Sequence, residues 1–188
     1  MLLRRIGIQN FRNLQPVDLE LAPGVTVFWG RNAQGKTNLL EAIHYLATGR
    51  SFRTRADREV LPWGAPPESV ARVEGTVERR DTTHRLALSL TERVKYAWID
   101  GKAVARLGDL LGRMMVVLFR PEDIDIAAGP PGERRRFLDL ALSQVRPAYL
   151  EALRLRERIV VETDPDKLAQ IDSIVQEALE EQEAPMWK

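Results

Sequence analysis

The sequence predicts an α/β protein: a phosphate-loop nucleotide-binding core, an antiparallel β portion, and helices toward the C-terminus. Three observations carry that expectation. Gly30-Arg31-Asn32-Ala33-Gln34-Gly35-Lys36-Thr37 fits G-x-x-x-x-G-K-[ST] at every fixed position, between an apolar β-branched run and a helical stripe. Val73, Gly75 and Val77 alternate with Glu74, Thr76 and Glu78, and Leu86, Leu88 and Leu90 with Ala87 and Ser89, the period-two pattern of antiparallel strands. Phe137, Leu138, Ala141, Leu142 and Val145 then fall at helical spacing.

Taken in order, Leu2 to Phe11 is β-like, and Val17, Leu19 and Leu21 alternate with Asp18 and Glu20 as a half-buried strand. Ala22-Pro23-Gly24 turns the chain, and Val25-Thr26-Val27-Phe28-Trp29 is expected to be the strand leading into the loop. Leu39, Leu40, Ile43 and Leu46 mark one apolar stripe on the helix that follows. Residues 69–105 read as a β insert of three or four strands, with Asp100-Gly101 as a two-residue hairpin turn and Tyr96 and Trp98 as packing residues. Leu107–Leu111 is a short helical piece. Met114–Phe119 is an uninterrupted apolar run, expected to be a central strand covered on both faces. Tyr149 to Val161 continues as helix, and Asp164-Pro165 starts another. The domain expectation is a core over 1–150 and an acidic helical tail over 151–188.

Composition bounds the class. The 188 residues are 44% hydrophobic and 29% charged, ordinary for a soluble globular protein. No apolar run approaches the ~20 residues of a membrane helix, and the N-terminus has no signal-peptide core. Zero cysteines exclude disulfides and thiolate metal sites and suit a reducing compartment, so a cytoplasmic protein is expected. Residues 1–149 carry 23 Lys/Arg against 17 Asp/Glu, whereas residues 150–188 carry 5 against 10. Arginine makes up 23 of the 28 cations, which suits phosphate contact but equally fits genome composition or a hot habitat.

The loop's chemistry follows from its residue types. Gly30 and Gly35 let the backbone curl so that its amides approach phosphate oxygens. The helix beginning near Lys36 aims its positive end at the same place. Lys36 reaches the β- and γ-phosphates, and the Thr37 hydroxyl ligates Mg²⁺. A GTPase is disfavoured, since no N-K-x-D guanine-reading segment is present.

Two basic clusters accompany the loop. Arg50, Arg53, Arg55 and Arg58 lie around Phe52, which fits either a phosphate-facing DNA surface or a solvated loop with one anchoring aromatic. Arg134, Arg135 and Arg136 stand in the first turn of a helix, against its dipole. That placement points to an anionic partner, although Glu133 and Asp139 are there to neutralise them. Arg120-Pro121-Glu122-Asp123 follows the apolar run, but Pro121 redirects the chain before either acid reaches a strand tip, which argues against a Walker B site.

Asn10-Phe11-Arg12-Asn13, the loop extended through Asn38-Leu39-Leu40-Glu41-Ala42-Ile43, Gly49-Arg50-Ser51-Phe52-Arg53-Thr54, Phe119-Arg120-Pro121-Glu122-Asp123 and Gly129–Asp139 together resemble the RecF family of bacterial recombination-repair ATPases. The likeness runs from residue 1 to about 153. It implies an ABC/SMC-like P-loop core that binds ATP with Mg²⁺, dimerises with nucleotide, and recognises DNA at gaps and single-strand/double-strand junctions. It also implies recombinase loading with RecO- and RecR-like partners, in DNA replication, repair and the SOS response. By the same likeness Arg12 and Asn13 lie near the nucleotide, Asn32 and Asn38 belong with the phosphate loop, and Phe119–Asp123 takes the place of the Q-loop. The sequence has no L-S-x-G-Q-like signature and no apolar strand ending in paired acids. A truncated chain is therefore expected, weak or inactive in hydrolysis, with a non-hydrolysing nucleotide- or partner-binding module as the alternative.

Overall fold

The structure, a computed structural model, describes residues 1–162 apart from Asp81, Asp125, Ala127 and Ala128, with backbone alone for 157–162. The helix expected from Asp164-Pro165 and the acidic end of the chain lie outside the described residues. The chain divides into two compact units, Met1–Leu118 and Phe119–Lys188, so the expected boundary near 150 falls inside the second.

The first unit is built on one antiparallel sheet of six strands in the order β2-β1-β3-β4-β5-β6. They are β1 (Leu2–Gln9), β2 (Val17–Glu20), β3 (Ala71–Arg79), β4 (Thr82–Leu90), β5 (Lys95–Ile99) and β6 (Lys102–Ala103). Register pairs Ile6 with Gly75 and Ile8 with Val73, and then Val73 with Leu88. The segment read as an insert therefore continues the N-terminal hairpin in the same sheet. At the β5–β6 turn Asp100 and Gly101 both have positive φ, 51° and 79°, the backbone a tight two-residue hairpin needs.

Alternation explains which face is buried. Ala71, Val73 and Val77 of β3 point to the core with Ile6 and Ile8 of β1 and Leu86, Leu88 and Leu90 of β4. Helix α1 (Lys36–Thr48) covers that face with Leu39, Ala42, Tyr45 and Leu46. Burying a side chain the size of Leu46 contributes roughly 1.5–3 kcal/mol. The helix can come close because β3 has a glycine beneath it. A Cβ on Gly75 would stand 2.8 Å from Leu46 Cδ2 and 3.1 Å from the Arg5 carbonyl. The apolar stripe read from sequence is corrected at one position, since Leu40 is turned off the packed face and is 47% exposed.

Two expected strands are absent among the described residues. Val25–Trp29 forms no strand and takes no place in the sheet, and Val25, Val27 and Trp29 are 93%, 73% and 89% exposed. Met114–Phe119 likewise forms no strand; Met114 is buried, but Val117 is exposed. Both runs have strand composition, but β-propensity reflects fit to neighbouring strands, and neither run has one here.

In the second unit, α2 (Pro131–Val145) and α3 (Pro147–Glu162) are separated by Arg146. Tyr149 Oη donates to Asp139 Oδ1 at 2.6 Å and ties the two helices together.

Candidate functional site

The phosphate loop follows the Val25–Trp29 segment and ends in α1. Three of its residues have left-handed backbone: Gly30 at φ 147°, Ala33 at 66° and Gly35 at 98°. At Ala33 this conformation costs on the order of 1 kcal/mol, a strain that persists where geometry is used. Gly35 is the N-cap of α1, has no side chain with which to cap, and no acidic residue stands in the first turn. The first amides of α1 and the positive end of its dipole are therefore left to a ligand. Gly35 is also sterically fixed, because a Cβ there would lie 2.7 Å from Leu14 Cδ2 and 3.0 Å from Asn13 Oδ1.

Lys36 folds its ammonium back into the loop, donating to the carbonyls of Gly30 (2.8 Å) and Arg31 (2.7 Å). Its charge thus sits over the curled backbone. Thr37 is exposed one residue on, and Arg31, Asn32 and Gln34 are exposed on the loop. A groove of about 350 Å³ runs beside the loop, lined by Gln34, Gly35, Lys36 and Leu39 on one side and by Val27, Phe28 and Trp29 on another. Uncapped helix amides, an ammonium and left-handed turns form a donor set that fits a polyphosphate. For a divalent cation the loop itself offers the Thr37 hydroxyl; among the described residues no group of three or more His, Asp or Glu could hold a metal.

Polar side chains tie the loop to its surroundings. Asn13 Nδ2 donates to the Ala33 carbonyl (3.1 Å), and its Oδ1 accepts from Asn38 Nδ2 (2.6 Å). Asn38 Oδ1 accepts from Arg53 Nη1 at 2.7 Å. Arg12 is directed elsewhere. Its Nε and Nη2 reach Glu41 Oε2 and Oε1 at 3.0 and 2.7 Å, and its Nη1 reaches the Glu59 carbonyl at 2.6 Å. Glu41 is fully buried and also accepts from Ser51 Oγ at 2.5 Å.

The arginine loop after α1 is pinned at both ends. Phe52 packs edge-on against His44 at 5.4 Å between ring centroids, which favours the anchoring role over an aromatic ligand platform. At the far end Lys95, nearly buried, reaches Asp57 Oδ2 (2.5 Å) and the Gly49 carbonyl (2.7 Å) and lies over the Tyr45 ring. Burial, and then the charge of Asp57, pushes the Tyr45 phenol well above its ordinary range. Arg50, Arg53, Arg55 and Arg58 are all exposed on and around this pinned stretch.

In the second unit Arg134, Arg135 and Arg136 are exposed in the first two turns of α2. Arg134 donates to the Gly129 carbonyl (2.6 Å) and Arg136 reaches Glu133 (3.4 Å). Asp123 is engaged by Arg120, through its backbone N–H at 2.8 Å and its guanidinium at 3.1 Å from Nε. That hydrogen bonding holds the Asp123 carboxyl below its usual range.

Sequence reasoning missed Glu41, Ser51 and Lys95. One signal was available for Glu41. It stands on α1 among Ala42, Tyr45 and Leu46, where an unpartnered carboxylate would be costly, so a cationic or hydrogen-bonding partner was to be expected.

Comparison with known proteins follows this geometry. The AAA domain family matches residues 5–95. The DNA replication and repair protein RecF of Lactobacillus delbrueckii subsp. bulgaricus is 44% identical over 150 residues, covering 80% of this chain and 39% of that protein. That of Chloroflexus aurantiacus is 42% identical over 179 residues, covering 86% and 45%. The chain thus spans less than half the length of these relatives. Among solved structures, the recombination mediator protein RecF with ATP, of the RecFOR pathway, superposes with a TM-score of 0.80 at 34% identity, covering 85% of this chain and 43% of that one. An SMC ATPase superposes with a TM-score of 0.57 at 18% identity, a likeness of fold alone. The fold is that of an ABC/SMC-like P-loop core with an antiparallel sheet and C-terminal helices.

Proposed function

We propose that this chain acts as a RecF-family protein, whose N-terminal part it matches, binding ATP at Gly30–Thr37 and DNA through its exposed arginines in the service of DNA replication and repair. The observation that carries the nucleotide reading is Lys36 held over the loop carbonyls at an uncapped helix start. When a triphosphate enters, Lys36 exchanges the Gly30 and Arg31 carbonyls for β- and γ-phosphate oxygens, and the amides from Ala33 to Thr37 close on the phosphates. The Thr37 hydroxyl would hold Mg²⁺, which would supply neutralisation of the phosphate charge there. Asn13 and Asn38 brace the loop, and Arg12 acts behind them through Glu41.

The arginines at 50, 53 and 55 and at 134–136 provide the phosphate contacts for DNA, with gaps and single-strand/double-strand junctions as the targets. RecO- and RecR-like proteins are the partners, nucleotide promotes a homodimer, and the compartment is cytoplasmic. Hydrolysis by this chain is weak or absent, since no signature and no paired acids at a strand end stand in its 188 residues to complete the site.

Equilibrium binding of a fluorescent ATP analogue with magnesium tests the reading. The wild-type chain should bind it, and Lys36→Ala should weaken binding at least about tenfold, the loss of one charge-assisted contact. Equal affinity in the two proteins would refute the assignment. Turnover decides the second reading, a non-hydrolysing module: slow but reproducible DNA-stimulated ATPase activity that is lost in Lys36→Ala would exclude it, and none at all would favour it.

A further inference from the structure

We propose that Glu41 and Ser51 form the joint through which the phosphate loop and the arginine loop pre-organise one another, so that ATP and DNA each raise the other's affinity. The inference rests on the nucleotide and DNA readings above, and adds residues to which neither assigns a role.

Glu41 is fully buried and draws together three elements. Arg12 comes from the segment after β1 and also fastens the Glu59 carbonyl, at the far end of the arginine loop. Glu41 itself belongs to α1, the helix that starts in the phosphate loop. Ser51 comes from the near end of the arginine loop, and its oxygen does two things at once. It donates to Glu41 Oε1 at 2.5 Å and accepts the amides of Arg53 (2.9 Å) and Thr54 (3.1 Å). The backbone of the arginine loop is thereby hung from a carboxylate on the nucleotide helix.

A second route closes the circuit. Arg53 Nη1 bonds Asn38 Oδ1 at 2.7 Å and lies 3.4 Å from Glu41 Oε2. Asn38 bonds Asn13, which bonds the carbonyl of Ala33 inside the phosphate loop. The strained Ala33 end and the exposed Arg53 end thus belong to one hydrogen-bonded chain with a buried charge at its centre. A buried carboxylate strongly disfavours losing its partners, so the chain holds together as a unit. A triphosphate that fixes Ala33–Thr37 also fixes Asn38, Glu41 and Ser51. The ordering cost of the arginine loop is then met before DNA arrives, and linkage makes the effect reciprocal.

The test uses Ser51→Ala, which removes the hydroxyl from the joint, and Ser51→Thr, which restores one. Amide exchange at Arg53 and Thr54 is followed with and without a non-hydrolysable ATP analogue and magnesium, and affinity for a short DNA duplex is measured in the same two states. In the wild type the analogue should slow exchange at both amides and raise DNA affinity roughly fivefold or more, the lower range of allosteric coupling. In Ser51→Ala each ligand alone should bind within about threefold of wild type while the coupling factor falls at least about twofold toward one, the Arg53–Asn38 route keeping the remainder; Ser51→Thr should recover it. Unchanged coupling in Ser51→Ala, or a wild type that binds both ligands independently, would overturn the proposal. A wild type that binds the analogue and slows exchange, yet shows no DNA binding, would retain the joint and sink the DNA reading instead.

Discussion

Arg12 and Glu41 face each other through two parallel bonds, Nε to Oε2 at 3.0 Å and Nη2 to Oε1 at 2.7 Å, with the carboxylate wholly out of solvent. Removing one partner of such a pair leaves a buried charge uncompensated, at a typical cost of 3–5 kcal/mol. Ser51 and the more distant Arg53 remain in Arg12→Ala, so the lower end applies. Urea unfolding should show a loss of about 3 kcal/mol, and Arg12→Lys, which cannot form both bonds, should fall between the two. A midpoint unchanged in Arg12→Ala would mean that the pair contributes nothing.

Gly35→Ala combines two penalties at one atom. The residue sits at φ 98°, and the added methyl would approach Leu14 Cδ2 to 2.7 Å. Stability should fall by about 1–3 kcal/mol, and nucleotide affinity should fall more steeply than stability because the loop must move to fit the methyl. Gly24→Ala serves as the comparison, since Gly24 also has positive φ but open space around it. Titration with the fluorescent ATP analogue should separate the two variants.

Alkali should loosen the helical unit through Tyr149. Burial, and then the bond to Asp139, pushes this phenol up to about 12 from an ordinary 10. The folded form therefore holds its proton where the unfolded form has lost it. The contribution is complete below pH 10 and disappears as pH rises toward about 12. Absorbance at the phenolate band should register a tyrosine titrating near 12, distinct from the still higher Tyr45, that is missing from Tyr149→Phe. Titration of all accessible phenols near 10 would contradict the tie between α2 and α3.

The logarithm of DNA affinity should fall linearly with the logarithm of salt, with a slope near 0.9 for each phosphate neutralised on duplex DNA. Replacing Arg50, Arg53 and Arg55 by glutamine should flatten that slope, as should replacing Arg134, Arg135 and Arg136. Should both triple variants keep the wild-type slope, the contacts lie elsewhere on the molecule.

Much of this arrangement was legible in the residues. The phosphate loop could be read because its fixed letters are geometric requirements, and the left-handed Gly30 and Gly35 meet them. Strand β3 could be read because one buried and one half-buried face impose alternation on Val73 and Val77, and β4 because its leucines alternate in sequence although Ala87 and Ser89 between them are buried as well. Asp100-Gly101 announced its own turn. Arg12 could not be read in the same way. Its partner is 29 positions away on a helix, and spacing along the chain carries no trace of a pairing that only folding creates. The same holds for Ser51, a small polar residue in a loop until Glu41 is placed beside it. The two expected strands failed for a related reason: composition says that a segment suits a sheet, while only a neighbour makes it a strand.

The stretch before the phosphate loop has a practical consequence for anyone handling this chain. Trp29, with Val25 and Val27, presents an oily ribbon to solvent, and ribbons of that kind favour clumping once solutions are concentrated. Its indole should emit at long wavelength and quench readily with acrylamide, making it a built-in gauge of whether anything has come to lie against the approach to the loop.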